Sequence, residues 1–502
     1  MKSNILFIPL LIVITFGCID PIDDNLNNPQ INLGEALSTA QITSGECISS
    51  FYNLVGGFWS QYWTQSNTAN RYSYIEDYEI SQNSWISHQH DVNWENLYSI
   101  VLFYNKLSIE EAATLQKWNY FLMNTVHYAY VYQLLADCYG DIPYTEALQG
   151  ISENQIVYPH YDHGNIVYLD LLSKIDTALK KVENWKNNDP IKNDLLFQGD
   201  IDKWKRFANT LKLKMYLRVS EFNAELAQEG IQKMYNNNVP FLETDAKLDI
   251  YISWDNMPNP LYYWDRVYYS TSTNLRISNT LALYFIQNND ARIQSIIDKN
   301  WEKDTITNYG MPQGGYNISN TYLPSNQIDV FKINANQPVY FISEVESYLL
   351  QAEAIARGWG AGNDQALYNS AISKDFSRKG LEDQELTLIG VGGIYEYPTN
   401  GSIEEKLKAI IMAKWAALSE YQGIEAFFET NRTGIPEVSS VPSWINNSFN
   451  PEYLGGQLTY SLSGKTNGLF PKRFIYPDIE LKNNKNFPGQ SQVTDKVWWD
   501  IK

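Results

Sequence analysis

The chain has 502 residues, 44% hydrophobic and 19% charged, so a sizeable core is available and wholesale disorder is excluded. The formal charge is −19 with no lysine- or arginine-rich stripe, which argues against nucleic acid or an anionic membrane surface as a partner. Aromatic residues are many, with 36 Tyr, 20 Phe and 15 Trp; rings with polar handles suit sugars, peptides and interfaces, and equally serve as packing wedges between helices.

The N-terminus has the layout of an export signal. Lys2 precedes a 12-residue apolar run from Ile5 to Phe16, too short for a bilayer span of roughly 20 residues. A plain cleaved signal would end in small residues, and Thr15-Phe16-Gly17 supplies part of that exit. Gly17-Cys18 instead resembles the lipobox of bacterial lipoproteins, with Thr15 standing where that pattern usually has Leu. The resemblance implies acylation at Cys18. Residues 1–17 are then a lipoprotein signal peptide, and the Asp-, Asn- and Pro-rich residues 18–33 an acidic flexible tether.

Residues 34–502 read as one helical domain, since no linker divides them and no later segment is apolar for long enough to span a membrane. Helical periodicity predicts elements near 91–108, 114–139, 164–184, 201–219, 222–236, 276–288, 342–357, 364–376 and 403–422. Two adjacent pairs read as helical hairpins: 164–184 with 201–219, and 342–357 with 364–376. In the second, Ala352, Ala354, Ala356, Gly358, Ala366 and Ala371 permit close packing, as in tetratricopeptide-type repeats, although no segment meets that repeat's full consensus. The expected fold is all-α: a tetratricopeptide-like scaffold of helical pairs. Long irregular loops interrupt it at 58–92, 237–275, 300–341, 377–402 and 435–502.

Catalytic signatures are missing: the chain has no GxSxG, HExxH or P-loop. Asp141 and Glu146 could be read as an acid/base pair, but the stretch "CYGDIPYTEAL" reads better as a helix stop at Gly140 followed by a turn. His88 and His90, or His160 and His163, are close pairs without further ligands, so no metal site is expected, and no cofactor motif occurs. Cys47 and Cys138 could form one disulfide after export or remain buried thiols.

Several stretches, in order, resemble one family. They are "NWENLYSIVLFYNKL" at 93–107, "LLADCYGDIPYTEAL" at 134–148, "ISEVESYLLQAEAIARGW" at 342–359, "IIMAKWAALSEYQGIEAFFETNRTGIP" at 410–436 and "PKRFIYPDIELKNN" at 471–484. Together they resemble the SusD/RagB-like nutrient-binding outer-membrane lipoproteins of Bacteroidetes, in particular the second SusD-like subgroup. One departure is "ETNRTG", where the family often carries two adjacent arginines and this chain has Asn431-Arg432.

The resemblance implies a cell-surface, lipid-anchored protein without catalysis. It would capture an oligosaccharide, or in some members a peptide, and pass it to a SusC-like TonB-dependent channel. Asp20, Asp23 and Asp24 resemble the acidic signal that sends such lipoproteins to the outer face. A helical glycoside hydrolase is the competing class. The family's ligand residues lie outside its shared motifs, so binding candidates come from this chain's aromatic loops at 58–78 and 253–269. There Trp63, Asn67, Arg71, Tyr72, Trp85, Tyr262, Tyr263 and Trp264 combine flat rings with hydrogen-bonding groups, as a sugar requires. Trp59 reads as a core residue.

Overall fold

A computed structural model describes residues 31–79, 85–150, 155–183, 185, 191–269, 274–298, 310–324 and 328–502, without the side chains of Trp85 and Ile86. Residues 1–17, Cys18 and most of the predicted tether lie outside the described residues. The first helix opens at Leu33, where the Asn32 side chain accepts from the Gly34 and Glu35 N–H groups.

The scaffold is helical. A first run extends from Leu33 to Trp59 through a π-helical turn at Ile48–Tyr52. A second runs from Trp85 to Thr114 through another at Leu97–Leu102. The helix Trp118–Tyr139 is buried on nearly all sides from Leu122 onward, which its dense apolar and aromatic sequence requires. It ends where expected: Gly140 takes φ 77° and its N–H returns to the Ala136 carbonyl at 3.0 Å. Gly164–Val182 presents Val167, Leu171, Ile175, Ala178 and Val182 to the core. Its main neighbour is Trp118–Tyr139 rather than Ile201–Arg218, so the first predicted hairpin pairs differently from the expectation. The second is found: Glu344–Ala356 packs along Asp364–Arg378, with Ala352, Ala354 and Ala371 buried between neighbours.

Other predicted helices are trimmed by strands and caps. Residues 276–288 resolve into the strand Leu275–Ile277 and the helix Asn279–Gln287, which Ser278 caps. Residues 342–357 resolve into the end of the strand Val339–Ile342 and a helix capped by Ser343. Thr114 ends the preceding helix and Leu115–Lys117 is a break, with Gln116 at φ 56°, before the helix that opens at Trp118. In and beside the irregular stretches lies a four-stranded antiparallel sheet, ordered Trp63–Gln65, Leu275–Ile277, Val330–Phe331, Ile297–Asp298. These strands are two or three residues long, too short to show a period of two.

Distant parts of the chain meet at one backbone crossing. The helix Gly423–Thr433 lies on Asn53–Trp59 so closely that a Cβ at Gly56 would sit 2.3 Å from the Ile424 nitrogen. Trp59 is 4% exposed, and its ring packs 5.0 Å from both Phe427 and Phe474, as a core residue should. The main hydrophobic cluster runs in sequence from Leu37 to Trp499. Cys47 and Cys138 are buried and unpaired. No helix among the described residues is long and apolar enough to cross a membrane.

Through this core runs a buried ion network. Arg218 reaches Asp137 at 3.0 Å and Glu425 at 2.6 Å, and also meets Glu429. Lys214 bridges Glu425 (2.6 Å) and Glu346 (3.3 Å), and Lys414 lies 3.4 Å from Glu429. Arg432 joins Glu353 at 2.8 Å to Glu429 at 2.6 Å, and Arg357 extends the chain to Glu353 and Glu221, both at 2.9 Å. Asn431, in place of a second arginine, donates to the Lys472 carbonyl at 3.3 Å. Burial would raise the Glu425 carboxyl, but Arg218, Lys214 and Lys414 outweigh it and hold it down to about 2. Asp137 goes the other way, because burial outweighs Arg218 there.

Arg218→Met should therefore cost about 3–5 kcal/mol in urea unfolding, because it leaves the buried Asp137 without a cation and takes one partner each from Glu425 and Glu429. Lys408→Ala breaks a pair with Glu437 that is more than half exposed and should change nothing measurable. An Arg218→Met protein as stable as the parent would contradict this account.

Candidate functional site

Two surface features emerge from the loops, joined by residues 66–72. The first is a polar cleft of about 400 Å3 lined by Asn317, Ser319, Tyr322, Asn447, Leu462 and Ser463, with Gly314 and Ile318 at its base. Asn317 and Tyr322 belong to a loop containing the short 3-10 turn Gly315–Asn317. Asn447 sits on a two-residue hairpin turn with Asn446, both in the left-handed region at φ 48° and 59°. That turn joins Trp444–Ile445 to Ser448–Phe449, and asparagine tolerates it where most residues do not. Tyr322 is 54% exposed, so its ring face is available.

The lining loop is held by side chains from residues 67–77. Asn67 Nδ2 donates to the carbonyls of Leu323 (2.8 Å) and Ile318 (3.1 Å) and to Asn320 Oδ1 (3.3 Å). The Glu76 carboxyl accepts from Gly314 N at 3.0 Å, Gln65 N at 3.2 Å and the Thr64 hydroxyl. Tyr316 donates to Asp77 at 2.5 Å, and Lys465 pairs with Asp77 at 3.1 Å. Burial pushes the Glu76 carboxyl up to about 8, despite the donors from Thr64, Gly314 and Gln65.

The second feature is an aromatic ridge. Asn259 caps the turn Pro260–Tyr262 and is itself tied to the Gln337 carbonyl at 2.9 Å. A π-helical turn, Tyr263–Tyr268, follows. Its rings meet edge to face: Tyr263 with Trp264 (5.6 Å), Trp264 with Tyr268 (4.7 Å) and Tyr268 with the following Tyr269 (5.3 Å). Arg71 lies over the Tyr269 ring at 5.1 Å, and Tyr72 donates to Asp265 at 3.2 Å. The two loop clusters predicted from sequence therefore meet here.

The individual candidates divide. Arg71 is exposed, while Tyr263 and Trp264 are half-buried with ring surface at the ridge. Tyr262 is half-buried against the core. Asn67 positions the cleft loop. Trp63 and Tyr72, both 1% exposed, are corrected: they are core residues out of reach of a ligand. Trp63 fills the space a Cβ on Gly57 would take and donates to the Leu54 carbonyl at 3.2 Å. Trp85 begins a helix, but its side chain lies outside the described residues. Sequence reasoning passed over Asn317, Ser319, Tyr322, Asn447 and Ser463. Their signal was the run of Asn, Ser and Tyr in "GGYNISNTY" and the Asn-Asn turn.

His90, His160 and Glu146 are engaged structurally. His88 is exposed, whereas His90 is buried, bonded to the Tyr139 hydroxyl at 2.7 Å and lowered to about 3 by burial. His160 N and Nδ1 both contact Glu146, which pulls that carboxyl below its usual range, the reverse of what a general acid needs. Among the described residues no group of three or more His, Cys, Asp or Glu gathers to hold a metal.

A family model described as "Starch-binding associating with outer membrane", SusD-like, matches residues 27–454. The chain belongs to this SusD-like family. Among solved structures, a chitin-binding protein superposes with TM-score 0.73 at 22% identity, covering 94% of this chain and 100% of its own. A SusD homolog from Bacteroides uniformis superposes with TM-score 0.70 at 22% identity, covering 94% and 99%. A chitin-binding SusD homolog from Flavobacterium johnsoniae gives TM-score 0.70 at 18% identity, covering 93% and 97%. At these identities the likeness is one of fold. No curated protein matches the chain. In this chain the SusD-like helical scaffold carries the cleft and the ridge on its loops.

Glu76 gives a pH test. Its raised pKa adds stability that is full below about 4.5 and is lost as pH rises through about 8. Thermal melts from pH 5 to 9 should show this decline, and Glu76→Gln should flatten it. An unchanged slope would remove Glu76 from the account.

Proposed function

We propose that this SusD-like protein captures a neutral glycan at the cell surface and delivers it to a partner TonB-dependent channel in the outer membrane. The observation that carries the reading is the loop cleft. Its amides, hydroxyls and exposed tyrosine ring can bond the hydroxyls of a sugar and stack on its C–H face. The aromatic ridge offers a longer chain further ring surface. The family description names starch, and two solved relatives are called chitin-binding, so α-glucans and chitin-derived oligosaccharides are the first ligands to try. The protein binds rather than cleaves in this reading, since the acidic groups around the cleft are spent on holding loops. Acylation at Cys18 would supply the anchor, adding roughly 0.8 kcal/mol per buried methylene.

Affinity electrophoresis through soluble starch and glycol chitin tests the reading. The parent protein should be retarded without releasing reducing ends, and Tyr322→Ala should weaken retardation about tenfold. Retardation by neither polymer, or release of reducing ends, would overturn it. In cells, labelled palmitate should enter the parent protein and not Cys18→Ala. An unlabelled parent would remove the anchor.

A further inference from the structure

The aromatic ridge carries a cation that the rest of the protein leaves free. The chain has ten arginines, and nine of them donate a side-chain hydrogen bond to a described carboxylate or carbonyl. Arg71 is the exception. It is exposed, and among the described residues its guanidinium makes no ion pair and donates no hydrogen bond. It lies over the Tyr269 ring, 5.1 Å from the centroid. The ring attracts the charge but gives the planar fork of N–H donors no oxygen to bond.

The position of this residue is fixed from below. Gln65, at 0% exposure on the strand Trp63–Gln65, accepts from the Arg71 N–H at 3.1 Å and the Tyr72 N–H at 2.8 Å. The same side chain donates to the Ser66 and Ala69 carbonyls at 3.1 and 3.0 Å, closing residues 66–72 on themselves. Tyr72, plugging the core beside Arg71, meets Tyr269 edge to face at 5.9 Å. The carboxylate of the ridge does not answer Arg71. Asp265 is buried, accepts from Tyr72 at 3.2 Å and lies 3.4 Å from Arg266.

A free guanidinium beside exposed rings selects a ligand by its chemistry. The fork matches the paired oxygens of a carboxylate or of a tetrahedral oxyanion such as a sulfate ester. Tyr268, 55% exposed in the same turn, offers a ring for the C–H face of a sugar. The net charge of −19 sets a limit, because the molecule as a whole repels a polyanion. One local cation therefore suits a mainly neutral chain with isolated acidic groups. Arg71 follows the cleft residue Asn67 by four residues, at most about 14 Å of extended chain, so one oligosaccharide can reach both.

We propose that Arg71 makes the ridge an acidic-sugar subsite, bonding the carboxylate or sulfate of an acidic residue on a glycan whose neutral units occupy the loop cleft. The proposal rests on the loop cleft being the glycan site and adds a charge preference to it.

Calorimetry of the full protein tests this with maltohexaose and chitohexaose. Each is compared with a derivative in which one hydroxymethyl group is oxidised to a carboxylate and another in which one is sulfated. At low salt at least one acidic form should bind about fivefold tighter than its neutral parent. Which form it is names the group. At about 1 M salt the preference should largely vanish. Arg71→Gln should erase it, and Arg71→Lys, which keeps the charge without the fork, should retain only part of it. Equal affinity for neutral and acidic forms, or a preference that survives Arg71→Gln, overturns the proposal and leaves the loop-cleft reading standing. Binding of none of these sugars overturns both. Arg71-dependent binding of a neutral hexapeptide through its free C-terminus, with no preference among the sugars, would overturn the assignment to a sugar.

Discussion

The structure depends on a cluster of charges taken out of water. Lys214, Arg218, Arg357, Lys414 and Arg432 interlock with Asp137, Glu346, Glu353, Glu425 and Glu429 where the early and late helices meet. Each ion gives up several kcal/mol of hydration, recovered only when its partners sit at bonding distance. Small displacements of one helix therefore cost several pairs at once. The Gly56–Ile424 crossing adds a steric version of the same demand, since neither helix can shift inward. The helices Trp118–Tyr139, Ile201–Arg218, Glu344–Ala356, Ile403–Ala417 and Gly423–Thr433 are fixed relative to one another by this set.

A scaffold held that tightly can carry long loops without regular structure of their own. The loops are then fixed by single side chains bonding backbone groups. Asn67 closes on three acceptors of the 318–323 loop, and Glu76 ties Gly314 to the strand Trp63–Gln65. The cleft and the aromatic ridge are both products of this arrangement, and both lie on loops rather than on the helical pairs. The cost of burying Glu76 is set against the order it gives the cleft wall.

Much of the scaffold was legible because helices repeat. The 3.6-residue pattern and its caps located Gly164–Val182, Ile201–Arg218, Glu344–Ala356 and Asp364–Arg378 to within a few residues. Gly140 was readable as a stop because only its conformation, not its neighbours, mattered. Strands of two or three residues left no period to read, and partner choice between helices depended on long-range contacts that spacing does not encode. The loop clusters were found by composition, and they do meet. Composition could not separate Trp63 and Tyr72, which plug the core, from Tyr263 and Trp264, which keep ring surface at the ridge. An aromatic flanked by Asn and Ser looks the same in either place. The cleft residues Tyr322 and Asn447 carried only the local signal of Asn-, Ser- and Tyr-rich loops, and their meeting depends on a turn geometry and a distant asparagine that composition does not encode.

The account's central claim is that loops, fixed by the buried scaffold, make the glycan-capturing surface. Hydrogen exchange of the intact protein with and without a long malto- or chito-oligosaccharide tests this most directly. The account predicts slowed exchange in residues 314–323, 444–449 and 461–464 when the ligand is present. Tight binding with no change in exchange across those three segments would contradict it.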